Sequence, residues 1–462
     1  MTLFSEIFLL SWQSYKLTLV SMASRSLETT YPLLAGGQGY APLTEGSVRE
    51  YLQGLSTATN LLGGPAETWT VREVGDGNLN LVFVIRGRDS AVVVKQALPY
   101  VRLVGESWPL PLDRVFFEHE ALIIQEEVVP DRVPRLYHFD KVRAAMVMEF
   151  LEPHIILRKG LMAGVVYPHL ASHMARFVAS TLYSTSDFGS PASVKRDRQA
   201  LFSRNAELCR ISEELVFTDP YRMAPLNRWT SPQLDSIAEE FRGDALLKVA
   251  VQELKRIFLS HAEALIHGDL HTGSVMVTQE DTKVIDPEFA FVGPIGFDLG
   301  AFIANLLLAY FAQPGLANST DDRVAYREWI LETIERFWIG FESHFLLLWR
   351  NGGQGDAFTA ELFSDASAAV ALDRFRMTYL GSVFVDAVGF AGVKMVRRIL
   401  GLAHVEDLES IADLDIRAAC EITILRIART MILDRAQLRS VSDLTALARK
   451  FAGASASGFA NW

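Results

Sequence analysis

The feature that most constrains this chain is a polar loop set between apolar segments. Residues 266–274 read Ile-His-Gly-Asp-Leu-His-Thr-Gly-Ser, and residues 284–288 read Val-Ile-Asp-Pro-Glu. Between them, apolar runs flank the polar segment 279–282, a pattern typical of two strands joined by a tight turn. The sequence therefore predicts a loop that leads into a hairpin, with one carboxylate at each end of the unit.

Phosphoryl transfer uses such an arrangement, because one carboxylate orients the attacking hydroxyl and another holds the magnesium that bridges the phosphates. Asp269 precedes Ser274 by the spacing that protein kinases place between a catalytic Asp and a metal-binding Asn, but the second residue is substituted. Two carboxylates near a hairpin also occur in solvated turns. Small and charged residues here interrupt an otherwise apolar segment, which favours the catalytic interpretation.

Composition limits the classes of protein to consider. A length of 462 residues suits two to three domains at about 150 residues each. The net charge of -11 argues against a nucleic-acid partner. Cys209 and Cys420 fit no metal spacing and are too few for a disulfide framework, so we expect a reducing cytoplasm.

Membrane attachment is not expected, although the mean hydropathy is positive. The most apolar stretch, residues 299–312, is shorter than the roughly 20 residues that a span needs, and it predicts a buried core helix. Residues 1–20 lack a basic leader, so a signal peptide is not expected. We treat residues 1–40 as a poorly constrained extension, with Met22 as an alternative start.

The next part of the chain predicts a helix and a small sheet. Thr44 is suited to cap a helix over residues 44–55. Residues 71–85 predict a strand, a Gly-Asp-Gly-Asn turn and a second strand, and a third strand ends at Lys95. Glycines in such a turn let backbone amides approach phosphate oxygens, and a lysine on the third strand can pair with the same phosphates.

The order of the following elements strengthens this interpretation. A helix over residues 113–128 offers Glu118 and Glu120 to face the lysine, and strand-like runs follow at residues 133–139 and 144–150. The last run ends in an extended segment that can present backbone groups to an adenine ring. This is the N-lobe plan of kinase-like folds. An unrelated α+β domain remains the alternative for this part alone.

The remainder predicts a mainly helical domain. Ser231, followed by a proline, is suited to cap a helix, and Asp298 is suited to cap another and to anchor the catalytic loop. Further helices are predicted at residues 167–183, 326–349, 357–373, 375–389 and 411–451. Residues 183–229 carry no motif that assigns them a role. The predicted domains are residues 41–150 and residues 151–462.

Two adjacent arginines, Arg397 and Arg398, lie within an apolar segment near the C-terminus. Most arginine pairs form a solvated helix edge. Arginine is also the usual partner of buried anionic groups, because its planar fork binds in a bidentate way. One of the pair pointing into the cleft would stabilise a transferring phosphoryl group or hold a substrate hydroxyl.

Taken together, these motifs resemble the 5-methylthioribose kinases of the aminoglycoside phosphotransferase and choline kinase-like superfamily. The resemblance covers residues 40–449 and rests on Gly-Asp-Gly-Asn-Leu-Asn-Leu-Val-Phe, His-Gly-Asp-Leu-His-Thr-Gly-Ser, Asp-Pro-Glu-Phe-Ala-Phe and Arg-Arg-Ile-Leu-Gly-Leu-Ala-His. Two features are distinguishing: Ser274 where related kinases have Asn, and Asp-Pro-Glu in place of Asp-Phe-Gly.

The resemblance implies an α+β, two-lobed protein-kinase-like fold, with a small antiparallel-sheet N-lobe and a larger, mainly helical C-lobe. It implies ATP-dependent phosphorylation of the C1 hydroxyl of 5-methylthioribose, a step of methionine salvage, with ATP and Mg²⁺ as cofactors. It also implies a cytoplasmic homodimer.

The same resemblance assigns the site residues. Asp269 would be catalytic and would touch the substrate hydroxyl, with Arg397 and Arg398 as further substrate-binding residues. Asp286 and Glu288 would hold magnesium; with only a hydroxyl at Ser274, the second metal would depend on Glu288. The residues implied to bind ATP are Gly75, Gly77, Asn78, Lys95, Glu118, Glu149, Phe150, Leu151, Asp286, Pro287 and Glu288.

Two alternatives stay open on sequence grounds. The first is another small-molecule kinase of the same fold, acting on choline, homoserine or an aminoglycoside. Twin arginines suit a sugar pocket better than a quaternary ammonium, which is recognised by aromatic cages. The second is a catalytically inactive nucleotide-binding protein. The intact residues Lys95, Asp269, Asp286 and Glu288 argue against it.

Overall fold

A computed structural model describes residues 39–75, 79–101, 105–353 and 355–459 of the chain. Nearly all of the predicted N-terminal extension lies outside these ranges, as do the predicted ATP-binding residues Gly77 and Asn78.

The strands are β1 (Thr70–Glu73), β2 (Asn80–Arg86), β3 (Ala91–Ala97), β4 (Tyr100–Val101), β5 (Gly105–Pro109), β6 (Leu136–Asp140), β7 (Ala145–Glu149), β8 (Ile155–Ile156), β9 (Ala264–Ile266), β10 (Val275–Val277), β11 (Thr282–Val284) and β12 (Phe291–Gly293).

The helices are α1 (Glu45–Gln53), α2 (Ser56–Leu62), α3 (Arg114–Val128), α4 (Leu157–Met162), α5 (Leu170–Thr185), α6 (Ala192–Phe202), α7 (Ala206–Leu215), α8 (Asp235–Gly243), α9 (Ala245–Ser260), α10 (Ile295–Leu316), α11 (Val324–Asn351), α12 (Ala366–Leu400), α13 (Glu406–Glu409), α14 (Leu414–Leu433) and α15 (Val441–Phe459). Short 3-10 turns lie at Ala66–Thr68, Asp219–Tyr221, Ala360–Phe363 and Arg435–Gln437.

The N-lobe is built on an antiparallel sheet with strand order β1-β2-β3-β7-β6. Alternate residues of a strand face opposite sides of a sheet. Val92 and Val94 of β3 therefore pack in the core under α1 and α2, while Lys95 projects from the other face towards α3. Thr44 caps α1, as predicted, and forms a reciprocal capping box with Ser47.

The C-lobe is organised around α10, whose residues are buried from its first residue to Gln313. It packs against α11, α12 and α14. Gly296 and Gly300 allow close approach to α12, since an added Cβ on Gly300 would lie 2.5 Å from the Ala387 carbonyl oxygen. By length and hydropathy α10 and α12 could each cross a membrane, but the most apolar window of α10 is entirely buried within the protein. The predicted core helix is confirmed.

Two predicted helix starts are wrong. Helix α8 begins at Asp235 rather than after Ser231, because residues 231–234 form a turn in which the Leu234 amide bonds the Thr230 carbonyl. Asp298 does not cap α10, which begins at Ile295. The first backbone amide of the helix, that of Ile295, is already satisfied by the carboxylate of Glu263, over 2.8 Å.

The helix divisions near the C-terminus also differ from the prediction. The two helices predicted over residues 357–389 are replaced by one continuous helix, α12, because Asp365 caps it and no later residue interrupts it before Gly401. The single helix predicted over residues 411–451 is divided into α14 and α15. The carboxylate of Asp443 bonds the amides of Arg439 and Ser440 and thereby stabilises the break.

Candidate active site

The loop that carries Asp269 is fixed to the end of β9. The carboxylate of Asp298 accepts hydrogen bonds from the amides of His267 and Gly268, over 2.6 and 3.0 Å. Gly268 has a φ of +82°, and an added Cβ would meet the Phe289 carbonyl oxygen at 2.1 Å, so only glycine fits. The predicted role of Asp298 as an anchor for the loop is confirmed.

The carboxylate of Asp269 lies between two basic side chains. Its Oδ1 is 3.3 Å from the Lys394 Nζ, and its Oδ2 is 3.3 Å from the His271 Nε2. Burial acts to raise the pKa of Asp269, but the interaction with His271, followed by the charges of Lys394 and Arg398, outweighs it and holds the pKa well below its usual range. Burial lowers the pKa of His271 to about 4, so at neutral pH Lys394 supplies the nearest full positive charge.

Lys394 was not found from the sequence. It lies in the apolar segment that contains the twin arginines, one helical turn before Arg397. Its position in an otherwise apolar run was the available signal, because such a run is expected to be buried and lysine is rarely fully buried unless it is paired. Its partner, Asp269, is 125 residues away in sequence, and only the fold brings the two together.

The predicted hairpin after the loop is confirmed. Strands β10 and β11 pair antiparallel, with Val275 opposite Val284. Ser274 is buried, and its hydroxyl donates to the backbone carbonyl of Asp269 over 3.1 Å. The Ser274 hydroxyl therefore stabilises the catalytic loop from within.

Three carboxylates converge at the end of the hairpin. Oxygens of Glu118, Asp286 and Glu288 lie within 4.8 Å of one another. Asp286 has a φ of +70°, a strained conformation for a residue other than glycine. Pro287, between the last two, accepts a hydrogen bond from the Ala290 amide that closes the turn. Oxygen donors of this kind suit Mg²⁺.

Lys95 is the cation that pairs with Glu118 and Asp286 in this cluster. Its Nζ lies 2.7 Å from Glu118 Oε2 and also forms an ion pair with Asp286. Burial raises the pKa of Glu118 to about 8, and burial together with the charge of Asp286 raises the pKa of Glu288. The pKa of Asp286 is lowered, because Lys95 outweighs its burial. Two cations, Lys95 and Arg114, thus face three acids, of which Glu118 and Glu288 are buried and Asp286 is partly exposed. A divalent cation would offset the remaining negative charge. Of the two acids predicted to face Lys95, Glu118 is the partner.

Glu288 is held in place by residues that the sequence did not reveal. The Asn80 side-chain amide donates to its Oε2 over 2.9 Å, and the Arg114 Nε lies 3.6 Å from the same oxygen. Arg114 is wholly buried and also donates to the Asn80 side chain and to the Leu79 carbonyl. Asn80 lies in the Gly-Asp-Gly-Asn-Leu-Asn motif and could have been singled out, whereas Arg114 carries no local signal.

The segment without an assigned role also contributes to the site. Asn205, between α6 and α7, donates to the backbone carbonyls of Glu288 and Ala290, over 2.8 and 3.0 Å. It is buried, so these bonds fix the backbone of the Asp-Pro-Glu turn from the C-lobe side.

The predicted adenine segment begins at Glu149, the last residue of β7, and joins the sheet to the C-lobe. Glu149 lies opposite Val92 of β3, and Leu151 is buried. The Arg86 guanidinium lies 4.7 Å from the centroid of the Phe150 ring and also pairs with Glu152. Gly75 lies in the turn after β1.

The twin arginines lie on α12, beyond Lys394. Arg398 is buried, and its Nη1 donates to the Ala403 carbonyl over 3.1 Å. Burial lowers the pKa of both arginines, that of Arg398 to about 9, while the charge of Asp269 acts in the opposite direction on each. Within the described ranges, the Nε atoms of both are buried without a hydrogen-bond partner. The alternative of a solvated helix edge is therefore wrong for Arg398.

Comparison with known proteins finds similar sequences among phosphotransferases. Residues 70–332 match the model of a family described as the phosphotransferase enzyme family. The chain is 46% identical over 417 residues to methylthioribose kinase 1 of Oryza sativa subsp. japonica, covering 90% of this chain and 96% of that relative. It is 43% identical over 409 residues to a methylthioribose kinase of Escherichia coli, covering 88% and 97%. Among solved structures, an ethanolamine kinase of Plasmodium vivax is similar over 91% of this chain and 98% of its own, with 10% identity and a TM-score of 0.42.

Proposed function

Because this chain belongs to the methylthioribose kinase family, within the phosphotransferase enzyme family, we propose that it phosphorylates the C1 hydroxyl of 5-methylthioribose. It is an ATP-dependent kinase that acts on a small-molecule hydroxyl, and methylthioribose as its substrate places it in methionine salvage. The observation that carries the proposal is identity above 40% over about nine-tenths of the chain to relatives of that name.

The role proposed for Asp269 is to orient the acceptor hydroxyl. Its pKa lies well below the usual range, so the carboxylate is ionised at neutral pH and accepts a hydrogen bond from the hydroxyl. Such a carboxylate is a weak base. It suits a loose transition state, in which the hydroxyl proton passes to Asp269 late, as the new O–P bond forms and the bond to ADP breaks.

The roles proposed at the acidic cluster follow from its donors. Asp286 and Glu288 would hold Mg²⁺, whose charge offsets that of the ATP phosphates. Lys95, kept in place by Glu118, would bind phosphate oxygens. The Asn80 bond and the backbone bonds from Asn205 orient Glu288. Glu288 would compensate for Ser274, whose hydroxyl bonds the catalytic loop.

The remaining site residues are proposed to position the two substrates. The segment 149–151 would receive the adenine ring, and Gly75, Gly77 and Asn78 would lie near the phosphates. Arg397 and Arg398 would bind the sugar hydroxyls and the transferring phosphoryl group, since both interact electrostatically with Asp269.

We also infer a cytoplasmic homodimer that has no nucleic-acid or membrane partner. The net charge of -11 and the two free cysteines support the compartment and the absence of nucleic acid. The other kinases of this fold, and an inactive nucleotide-binding protein, are not favoured. The relatives that share nearly the whole chain are methylthioribose kinases, and the Lys95–Glu118 ion pair is formed.

The test is ATP consumption by the full chain across 5-methylthioribose, choline, homoserine and kanamycin, with Asp269→Asn as the matched control. We expect turnover with 5-methylthioribose alone, and analysis of the product should place the phosphate on C1. Preferential turnover of choline, homoserine or kanamycin, or ATP consumption that Asp269→Asn leaves unchanged, would reject the proposal.

A further inference from the structure

The ammonium group of Lys394 is buried beside the catalytic carboxylate. Only 3% of the side chain is exposed, and its Nζ lies 3.3 Å from Asp269 Oδ1 and 4.3 Å from the centroid of the Phe297 ring. Within the described part of the chain, Asp269 is the one carboxylate in ion-pair contact with it. An ammonium group has three donors, so its surroundings here satisfy it only in part.

This arrangement is not the one that stability alone would favour. Removing an ammonium group from water disfavours its protonated form, and burial accordingly lowers the pKa of Lys394 to about 8. An apolar side chain of similar length would pack against the Phe297 ring without that penalty. The charge therefore serves its partner, Asp269.

The other charged groups around this pair do not replace Lys394. His271 faces Asp269 from the loop but is neutral at physiological pH, because its pKa is about 4. Arg397 and Arg398, on the same helix, lower the pKa of Lys394, and Asp298 of α10 also interacts with it.

A second ion pair lies further out. Arg158 of α4 pairs with Asp407 of α13 over 3.1 Å. The charge of Arg158 lowers the pKa of Arg398, and the charge of Asp407 raises it. Among the charged groups in the described structure, Lys394 is thus the cation in direct contact with the catalytic carboxylate at neutral pH.

We propose that Lys394 is a positioning residue for phosphoryl transfer: its protonated ammonium group keeps the Asp269 carboxylate ionised and directed at the acceptor hydroxyl. This inference rests on the proposed function. The enzyme is then fully active only while Lys394 holds its proton, and activity declines as pH rises through about 8. Without the lysine charge, burial acts on Asp269 with less opposition, and the acid limb of the activity profile moves to higher pH.

The first test is the pH dependence of kcat/KM for 5-methylthioribose at saturating ATP and Mg²⁺. Lys394→Arg, Lys394→Met and the wild type are compared, with Lys248→Arg, an exposed lysine of α9, as the matched control. Arginine stays protonated, so Lys394→Arg should move the basic limb upward by at least one pH unit. Lys394→Met should lose the basic limb and gain an acid limb. Profiles of both variants that coincide with the wild type would overturn the proposal.

The second test needs no turnover and shows whether a variant remains folded. In ¹³C-lysine NMR of the full chain, one signal should titrate near pH 8 and be missing from Lys394→Arg. Asp269→Asn should move that midpoint to lower pH, because the acid raises the pKa of Lys394. A midpoint that Asp269→Asn leaves unchanged would contradict the coupling. Absence of turnover with 5-methylthioribose, in contrast, would reject the proposed function, and the titration would still report on the pair.

Discussion

Asn80 donates a hydrogen bond to Glu288 over 2.9 Å, although the two residues lie 208 positions apart. Asn80 begins a strand of the N-lobe sheet, and Glu288 closes the Asp-Pro-Glu turn of the C-lobe. Glu118, the third acid of the cluster, also belongs to the N-lobe. The candidate metal site is therefore assembled from both lobes, and a change in either lobe should alter it.

Removing a carboxylate from this cluster should weaken magnesium use. We expect Asp286→Asn and Glu288→Gln to lower activity and to require more Mg²⁺, because each variant loses a hard oxygen ligand. Activity titrated against Mg²⁺ measures this, with Glu120→Gln on the same helix as Glu118 as the control. An unchanged Mg²⁺ requirement in Glu288→Gln would refute the idea that Glu288 compensates for Ser274.

Arg114 should be important for stability as well as for the site. It is fully buried and donates to Asn80, to Leu79 and to the Pro111 carbonyl. Arg114→Met would leave these acceptors and Glu288 without their cation, and loss of one partner from a buried pair costs about 3–5 kcal/mol. Urea unfolding should show this loss, whereas Arg88→Met, at an exposed pair, should lie close to the wild type. Equal midpoints for the two variants would contradict the role of Arg114.

Asp269→Asn should keep ATP binding and lose most turnover. The amide cannot accept the hydroxyl proton, and general-base contributions amount to about 10²–10⁴-fold. Nucleotide affinity measured by calorimetry, beside steady-state turnover, separates the two effects. Turnover within a few-fold of the wild type would show that Asp269 is not the group that receives the proton.

Replacing at least one of the twin arginines by lysine should impair the enzyme. Lysine keeps the charge but removes the planar fork, and an arginine aimed at a phosphoryl group in transit contributes about 10³–10⁵ in rate in the strongest cases. We expect Arg397→Lys or Arg398→Lys to raise KM for 5-methylthioribose or to lower kcat, with ATP affinity near normal. Wild-type kinetics in both single variants and in the double variant would exclude the pair from substrate binding.

Deleting residues 1–21 should leave folding and activity intact. The sequence shows no strong structural pattern there, and regular structure in the described ranges begins at Glu45. Thermal unfolding and turnover of the truncated chain, compared with the full chain, measure this. A truncated protein that aggregates, or that melts well below the full chain, would show that this segment packs on the body.

The sequence predicted local features more successfully than long-range ones. The capped helix after Thr44, the strand through Lys95 and the hairpin after Ser274 depend on patterns within a few residues, and each is present, although the strand ends at Ala97 rather than at Lys95. The motifs in their order also predicted the two-lobed α+β fold, with an antiparallel N-terminal sheet and a mainly helical remainder.

Residues whose role depends on a distant partner were not found. Arg114, Asn205 and Lys394 have no motif of their own, and each lies more than eighty residues in the chain from the acid, Glu288 or Asp269, that it contacts in the site. The cap predicted at Asp298 failed for a related reason, because Glu263 already satisfies the Ile295 amide. Tertiary contacts decide which residues reach the site and which group satisfies the first amide of a helix.

The continuity of α12 bears on which changes in chain length the protein can accept. Ala387, which contacts Gly300 of α10, and the three cations Lys394, Arg397 and Arg398 share one uninterrupted helix. Each residue of an α-helix advances the side-chain direction by about 100°. One inserted or deleted residue between Ala387 and Lys394 would turn all three cations away from Asp269 together. We therefore expect almost no insertions or deletions in this stretch over evolutionary time, and because its residues are buried we also expect few substitutions there.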